Sequence, residues 1–222
     1  MNVLKALRAP DYFTLLNAAF GLCALLAAGQ APDHNSTLLA VIFIIFAAIA
    51  DGLDGFLARR LGSSQIGANL DSLADLVSFG VAPAFLALKA FDSPNFWPAG
   101  IFYLLCGALR LARFNVDSKS DQFFEGLPIP AAGIALSGCV LLGSQIITLI
   151  FMLLLAMLMV SSVSYPKMRD QKSAAFLVLA FLAAGILVWL QKDITYSSHL
   201  LIAIIIVYLM SPVVISCLQK GR

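Results

Sequence analysis

Charge is scarce in this chain. Asp, Glu, Lys and Arg make up 12% of its 222 residues against 61% hydrophobic ones, and the mean hydropathy is +0.94. Too little polar surface is left to coat a soluble domain, so the composition indicates a polytopic membrane protein, residues 1–222 forming one membrane domain. Histidine and cysteine are also few, and poorly placed for redox or soft-metal chemistry. Cys23, Cys106, Cys139 and Cys217 stand singly in apolar segments without C-x-x-C spacing, which makes them packing residues. His34 and His199 fall in loops far from any acidic cluster, where a histidine is ordinarily just solvated. There is no internal repeat, no low-complexity linker and no basic patch of the nucleic-acid-binding kind. The net charge of +2 gives only a weak attraction for anionic lipid head groups.

What is abundant is long apolar runs, near residues 12–29, 37–58, 69–90, 96–113, 129–163, 174–190 and 198–218. Most match the roughly 20 residues of one crossing, whereas 129–163 is too long for one and is expected to fold back near Gly143, Ser144 and Gln145. The expectation is an all-α fold of eight transmembrane helices. With both termini cytoplasmic, 12 of the 14 basic residues fall inside, Arg59, Arg60, Arg110 and Arg113 among them, and only Lys89 and Lys192 fall outside. That asymmetry obeys the positive-inside rule. Lys5 and Arg8 before the first run, and Ala27, Ala28 and Gly29 at its end, raise the question of a cleaved signal peptide. Asn17 within the run and at least six later spans favour an uncleaved helix. Residues 2–10 are mildly amphipathic and suited to lying along the interface.

Against this apolar background stand Asp51-x-x-Asp54-Gly55-x-x-Ala58-Arg59 and Gly67-x-x-x-Asp71-x-x-x-Asp75. Carboxylates within membrane-spanning segments are costly, which makes them functional candidates. On helices, Asp51 and Asp54 stand i, i+3 and Asp71 and Asp75 i, i+4, so each pair projects from one face. Two helices joined by the short stretch Arg60 to Ile66 can aim all four into one gap. Four anions there would repel one another unless a cation of similar charge joined them. One divalent metal or two is the simplest solution, and all-oxygen ligands favour Mg²⁺, Mn²⁺ or Ca²⁺ over zinc. A divalent cation transporter would use the same carboxylates. It leaves the arginines on the same side unexplained, and no second acidic cluster serves the outward half of a pathway.

The Asp51 to Asp75 pattern resembles the signature of the CDP-alcohol phosphotransferases, membrane enzymes that move a phosphatidyl or similar group from a CDP-linked donor to an alcohol. All nine residues of the signature are present in order, with seven residues between Arg59 and Gly67 where eight is commoner. The resemblance implies that Asp51, Asp54 and Asp71 ligate metal, with two ions expected, and that Asp75 is both ligand and catalytic base. It places Gly52, Gly55, Ala58, Arg59, Ser64 and Gly67 against the CDP-lipid. Thr14 and Asn17, one turn apart, resemble a T-x-x-N element near the donor nucleotide. Helix packing is the competing explanation for the glycines and for this pair.

A second constellation bears on the acceptor. Residues 107–116 read GALRLARFNV, 126–130 read GLPIP, and 79–83 read FGVAP. From residue chemistry alone, Arg110 and Arg113 suit the carboxylate of serine or the phosphate of glycerol 3-phosphate or inositol phosphate equally well. The whole pattern looks like the phosphatidylserine synthase branch, and the resemblance covers most of residues 10–165, the expected catalytic core. It implies transfer of a phosphatidyl group from CDP-diacylglycerol, or an archaeal ether analogue, to L-serine, in a prokaryotic cell membrane with the site facing the cytoplasm. Asn115 would then meet the serine ammonium, and Gly126, Pro128 and Pro130 would shape the start of the fifth helix. Two helices over about 173–218 carry no polar stripe, so packing, lipid contact or a homodimer interface is their default reading.

Overall fold

The computed structural model describes residues 6–30, 33–116 and 123–166. Residues 2–5 of the stretch read as amphipathic fall outside them, and the two helices expected over 173–218, with Cys217 and His199, lie wholly outside. Six helices are described. They are α1 (Ala9–Ala28), α2 (His34–Leu61), α3 (Gly67–Phe91), α4 (Phe96–Val116), α5 (Ile129–Leu141) and α6 (Gln145–Val160). All six coincide with apolar runs of the sequence. The first four are long and apolar enough to cross a membrane, while α5 and α6, at 13 and 16 residues, are shorter. The break between α5 and α6 comes where it was expected, at Gly143, whose φ of +69° is a left-handed turn conformation that glycine adopts without strain. Thr148 then ties the hairpin together, its hydroxyl 3.0 Å from the Cys139 carbonyl and 2.9 Å from that of Ser144.

The helices outrun their hydropathy because their ends are capped by polar groups. At the start of α2, Asp33 accepts from the Ser36 N–H at 3.1 Å, and its bonds with Ser36 hold its carboxyl below the usual carboxylate range. With 28 residues, α2 measures about 42 Å, against roughly 30 Å of hydrocarbon. Its last turns therefore reach a membrane boundary, and these carry Asp51 to Arg60. At the start of α1, the Arg8 N–H donates to the Asp11 carboxylate at 2.7 Å. The Ser64 hydroxyl donates to the other Asp11 oxygen at 3.1 Å, so the α2–α3 connection is fastened to the foot of α1.

Helix α3 is not one regular helix. It is α-helical over Gly67–Asp75 and Ala82–Phe91, and π-helical over Leu76–Val81 between them. Pro83 has no N–H to offer the Phe79 carbonyl four residues earlier. The fully buried Tyr103 of α4 donates its hydroxyl to that carbonyl at 3.1 Å. The π segment is also where neighbours come closest. A Cβ at Gly21 of α1 would lie 2.9 Å from the Ser78 Cα, and one at Gly133 of α5 would lie 2.9 Å from the Cα and O of Phe79. In lipid, where apolar surface gives helices little reason to associate, such close backbone approach is a main source of cohesion.

Small residues of α1 and α2, among them Ala24, Ala27, Ala40 and Ala47, line the inner seam, and Phe79, Phe96, Tyr103, Leu136 and Met152 fill the centre. Trp97, Ile101, Leu105 and Leu109 form an outward stripe along α4 at i, i+4 spacing, as a lipid-facing surface requires. A β structure not anticipated from the sequence pairs Phe123–Glu125 antiparallel with Ser164–Pro166, joining the chain after α4 to the chain after α6. The described cysteines are all free, as packing residues should be.

Candidate active site

The end of α2 and the start of α3 bring three carboxylates together. One oxygen each from Asp51, Asp54 and Asp71 lies within 4.8 Å of the others. The donor set is all oxygen, and Oδ1 of Asp71 is buried with no hydrogen-bond partner among the described residues. A buried anionic oxygen without a donor is a liability unless a cation meets it. These residues therefore fit a divalent ion of the Mg²⁺, Mn²⁺ or Ca²⁺ kind. His34 begins α2, 17 residues or about 26 Å from Asp51, too far to contribute.

Asp75 stands outside that group of three, although it and Asp51 are close enough to interact directly. It is buried, and Asn17 of α1 donates to its Oδ1 at 3.1 Å. Thr14, one turn earlier on α1, donates to Oδ2 of Asp54 at 2.7 Å. The two residues expected near the nucleotide thus both bond carboxylates of the acidic centre. Arg110 of α4 is buried and its charge acts on Asp51, Asp71 and Asp75, while its guanidinium lies 5.4 Å from the centroid of the Phe114 ring.

Other expected site residues divide into two sets. Gly52 is exposed, and a Cβ there would meet nothing within 4 Å among the described residues. At Gly55 it would meet only the tip of Arg59 among the described residues, at 3.5 Å. Packing among the described helices therefore does not explain these two glycines. Exposed Arg59 reaches back over this bare strip, beside half-buried Ala58, whereas Arg60 lies 4.4 Å from the Phe56 ring centroid on its own helix. Ser64 and Gly67 form a tight joint instead: a Cβ at Gly67 would sit 3.1 Å from Asp11 Oδ1 and 3.3 Å from Ser64 Oγ.

The acceptor residues also divide. Arg113 points its guanidinium at the last carbonyls of α6, 3.2 Å from Ser161 O and 3.5 Å from Met159 O and Val160 O. A cation at a helix C-terminus is favourable there through the macrodipole as well as the bonds. Gly126, at φ +79°, is packed into the same corner, where a Cβ would strike Met159 O and lie 2.7 Å from Arg113 Nη2. Pro128 is the N-cap of α5, with Pro130 in its first turn. Asn115 accepts from the Ser72 hydroxyl at 3.1 Å.

Sequence reasoning missed Asp11, Ser72, Ser78 and Tyr103. Only Asp11 had a local signal, an acid just after Pro10 at the start of a helix. The other three act through partners 24 to 61 residues away, which no spacing rule reveals.

Comparison with known proteins agrees with this geometry. The sequence pattern of the CDP-alcohol phosphatidyltransferase family matches residues 7–165. A CDP-diacylglycerol–serine O-phosphatidyltransferase of Methanocaldococcus jannaschii is 44% identical over 168 residues, 75% of this chain and 77% of that protein. An archaetidylserine synthase of Methanothermobacter thermautotrophicus is 38% identical over 166 residues, 71% of this chain and 69% of that one. A CDP-diacylglycerol–serine O-phosphatidyltransferase of Helicobacter pylori is 35% identical over 193 residues, 78% of this chain and 79% of its own length. The matched span runs from the foot of α1 through the end of α6 and contains every residue of the acidic centre, and the chain belongs to the CDP-alcohol phosphatidyltransferase family.

Proposed function

We propose that this integral membrane protein transfers the phosphatidyl group of CDP-diacylglycerol, or of its ether-linked analogue, to L-serine and releases CMP. The observation that carries the reading is the arrangement of the acidic centre: three grouped carboxylates, a fourth held beside them by Asn17, and a buried arginine whose charge acts on Asp51, Asp71 and Asp75. Relatives named as a CDP-diacylglycerol–serine O-phosphatidyltransferase and as an archaetidylserine synthase support serine as the acceptor.

Asp51, Asp54 and Asp71 would hold the divalent ion, which supplies charge neutralisation at the donor diphosphate. A second ion would draw Asp75 into the ligand set. The bare strip at Gly52 and Gly55 leaves room for the CDP group beside the α2 backbone, with Arg59 at its edge for paired bonds to phosphate oxygens. The serine hydroxyl attacks the phosphorus bonded to the lipid. The new P–O bond forms as the bond to CMP breaks, and the hydroxyl proton passes to Asp75.

Arg110 is the residue suited to the serine carboxylate, because it is buried at the centre, while Asn115, tied to Ser72 between the two α3 aspartates, is placed for the ammonium. Arg113, Gly126 and Pro128 then act on the acceptor side by fixing the α4–α5–α6 corner. The positive-inside pattern supports a cytoplasmic position for this end of the helices.

The test is CMP release by purified protein in detergent with CDP-diacylglycerol and Mg²⁺ or Mn²⁺. L-serine, glycerol 3-phosphate, inositol phosphate and no acceptor are compared. Serine-dependent CMP with phosphatidylserine formed is the expected result. Release with another alcohol alone would overturn the acceptor, and no metal-dependent release from ester or ether CDP-lipids would overturn the chemistry.

A further inference from the structure

We propose that α1 is the positioning element of the acidic centre, with Thr14 holding Asp54 for metal and Asn17 holding Asp75 for proton acceptance. Neither residue need touch the nucleotide for this. The inference deepens the function proposed above and rests on the metal-dependent part of it.

Thr14 and Asn17 are one helical turn apart and share a face of α1. Each is buried, at 3% and 0% exposure, and each sends its side-chain donor to a different acid on a different helix. Asp54 belongs to the group of three and Asp75 does not, so one helix face fixes both the metal-facing and the proton-accepting carboxylates. A third bond locks α1 against the base: the Ser78 hydroxyl, three residues beyond Asp75, donates to the Asn17 carbonyl at 2.8 Å. At Gly21, one turn further, the π segment approaches so closely that an added Cβ would lie 2.9 Å from the Ser78 Cα.

Simple packing does not account for this. The seam is already closed by Gly21, Ala24 and Ala27, and two polar side chains within it must be satisfied by partners, here the aspartates. Asn17 shows the point most sharply. Its Oδ1 is buried without a partner among the described residues, so its amide is oriented by the bond to Asp75 and by no competing one at that oxygen. Outer residues that orient metal-ligating carboxylates typically change metal affinity about 10- to 100-fold when removed.

The experiment measures Mn²⁺ affinity by electron paramagnetic resonance on purified full-length protein with the metal alone, beside the KM for CDP-diacylglycerol and kcat. Thr14→Val keeps the shape and loses the donor; Thr14→Ser keeps the donor. The expected result is about 10- to 100-fold weaker Mn²⁺ binding in Thr14→Val, restored by Thr14→Ser. Asn17→Leu should keep Mn²⁺ affinity within a few-fold and lower kcat at least 10-fold at little-changed KM. Unaltered Mn²⁺ binding in Thr14→Val with a raised KM would overturn the proposal in favour of direct nucleotide contact. If Thr14→Val does not elute as folded protein, the Asn17→Leu split decides alone, a raised KM with unchanged kcat being the refuting outcome. Wild-type protein that binds Mn²⁺ but makes no phosphatidylserine would remove only the serine reading. Wild-type protein that binds no Mn²⁺ would remove both.

Discussion

The two walls of the acidic centre are built on opposite plans. Along α2, a Cβ at Gly52 would meet none of the described residues and one at Gly55 only the tip of exposed Arg59 among them. Across from it, Gly21 and Gly133 press the π segment of α3 from two sides, the Ser78 hydroxyl donates to the Asn17 carbonyl of α1, and the Tyr103 hydroxyl donates to the Phe79 carbonyl. The same residue type therefore does contrary things on the two walls. On one wall glycine leaves backbone that no described residue covers; on the other it removes the room between helices. The function proposed above, with a lipid-linked nucleotide beside a carboxylate held in place, would use both.

The largest effect should come from the closed wall. Asp75→Asn should lower turnover by roughly 10²- to 10⁴-fold with CDP-lipid KM little changed. An active Asp75→Asn protein would mean that the closed wall does not hold the base. Next come the two arginines of α4. Arg110→Ala should raise the serine KM by about 10- to 100-fold, as loss of a charged hydrogen-bonding partner implies, with a smaller rise for CDP-lipid. Arg113→Ala should leave both KM values near wild type and lower thermal stability by about 1 kcal/mol. Equal KM increases for both substrates in Arg110→Ala would move it from acceptor to donor.

Gly133→Ala tests crowding. Its Cβ would lie 2.9 Å from backbone atoms of Phe79, and overpacking of this kind costs about 1–3 kcal/mol, read as a lower melting temperature in detergent. The mirror experiment is the gentlest. Gly52→Ala should fold as well as wild type or better, by up to about 1 kcal/mol of helix propensity, yet raise the CDP-lipid KM several-fold. If Gly52→Ala instead destabilises the protein, the open wall is not open.

How far the chain could be read without coordinates follows from what periodicity encodes. Helical spacing told that Asp51 and Asp54 share a face, as do Asp71 and Asp75, and a short connection made their convergence the natural fold. The break at Gly143 was equally legible, because 35 apolar residues overrun one bilayer crossing. Spacing alone does not say where Arg110 and Arg113 reach. Residues i and i+3 differ by about 60° around the axis, and arginine is long enough that the two guanidinium groups reach different neighbours. One meets aspartates, the other the end of α6. Which partner a side chain reaches depends on helices distant in sequence. That is also why the Thr14–Asp54 and Asn17–Asp75 bonds were not foreseen. The short β ribbon escaped for a different reason: two three-residue strands leave no alternation to detect.

The hydrogen bond from Tyr103 to the Phe79 carbonyl bears on how the protein is assembled. A helix inserted by itself satisfies its own backbone, but α3 carries Pro83 and so arrives in hydrocarbon with one carbonyl short of a donor, a defect worth several kcal/mol. The missing donor is on α4, synthesised later. During biogenesis, then, the stretch that sets the rotational phase of Asp75 is expected to settle only once the fourth helix has entered beside it. In ribosome-stalled chains, an engineered disulfide between positions of α1 and α3 should form efficiently only after Tyr103 has reached the bilayer. Equal efficiency in shorter chains would show that α3 finds its phase unaided.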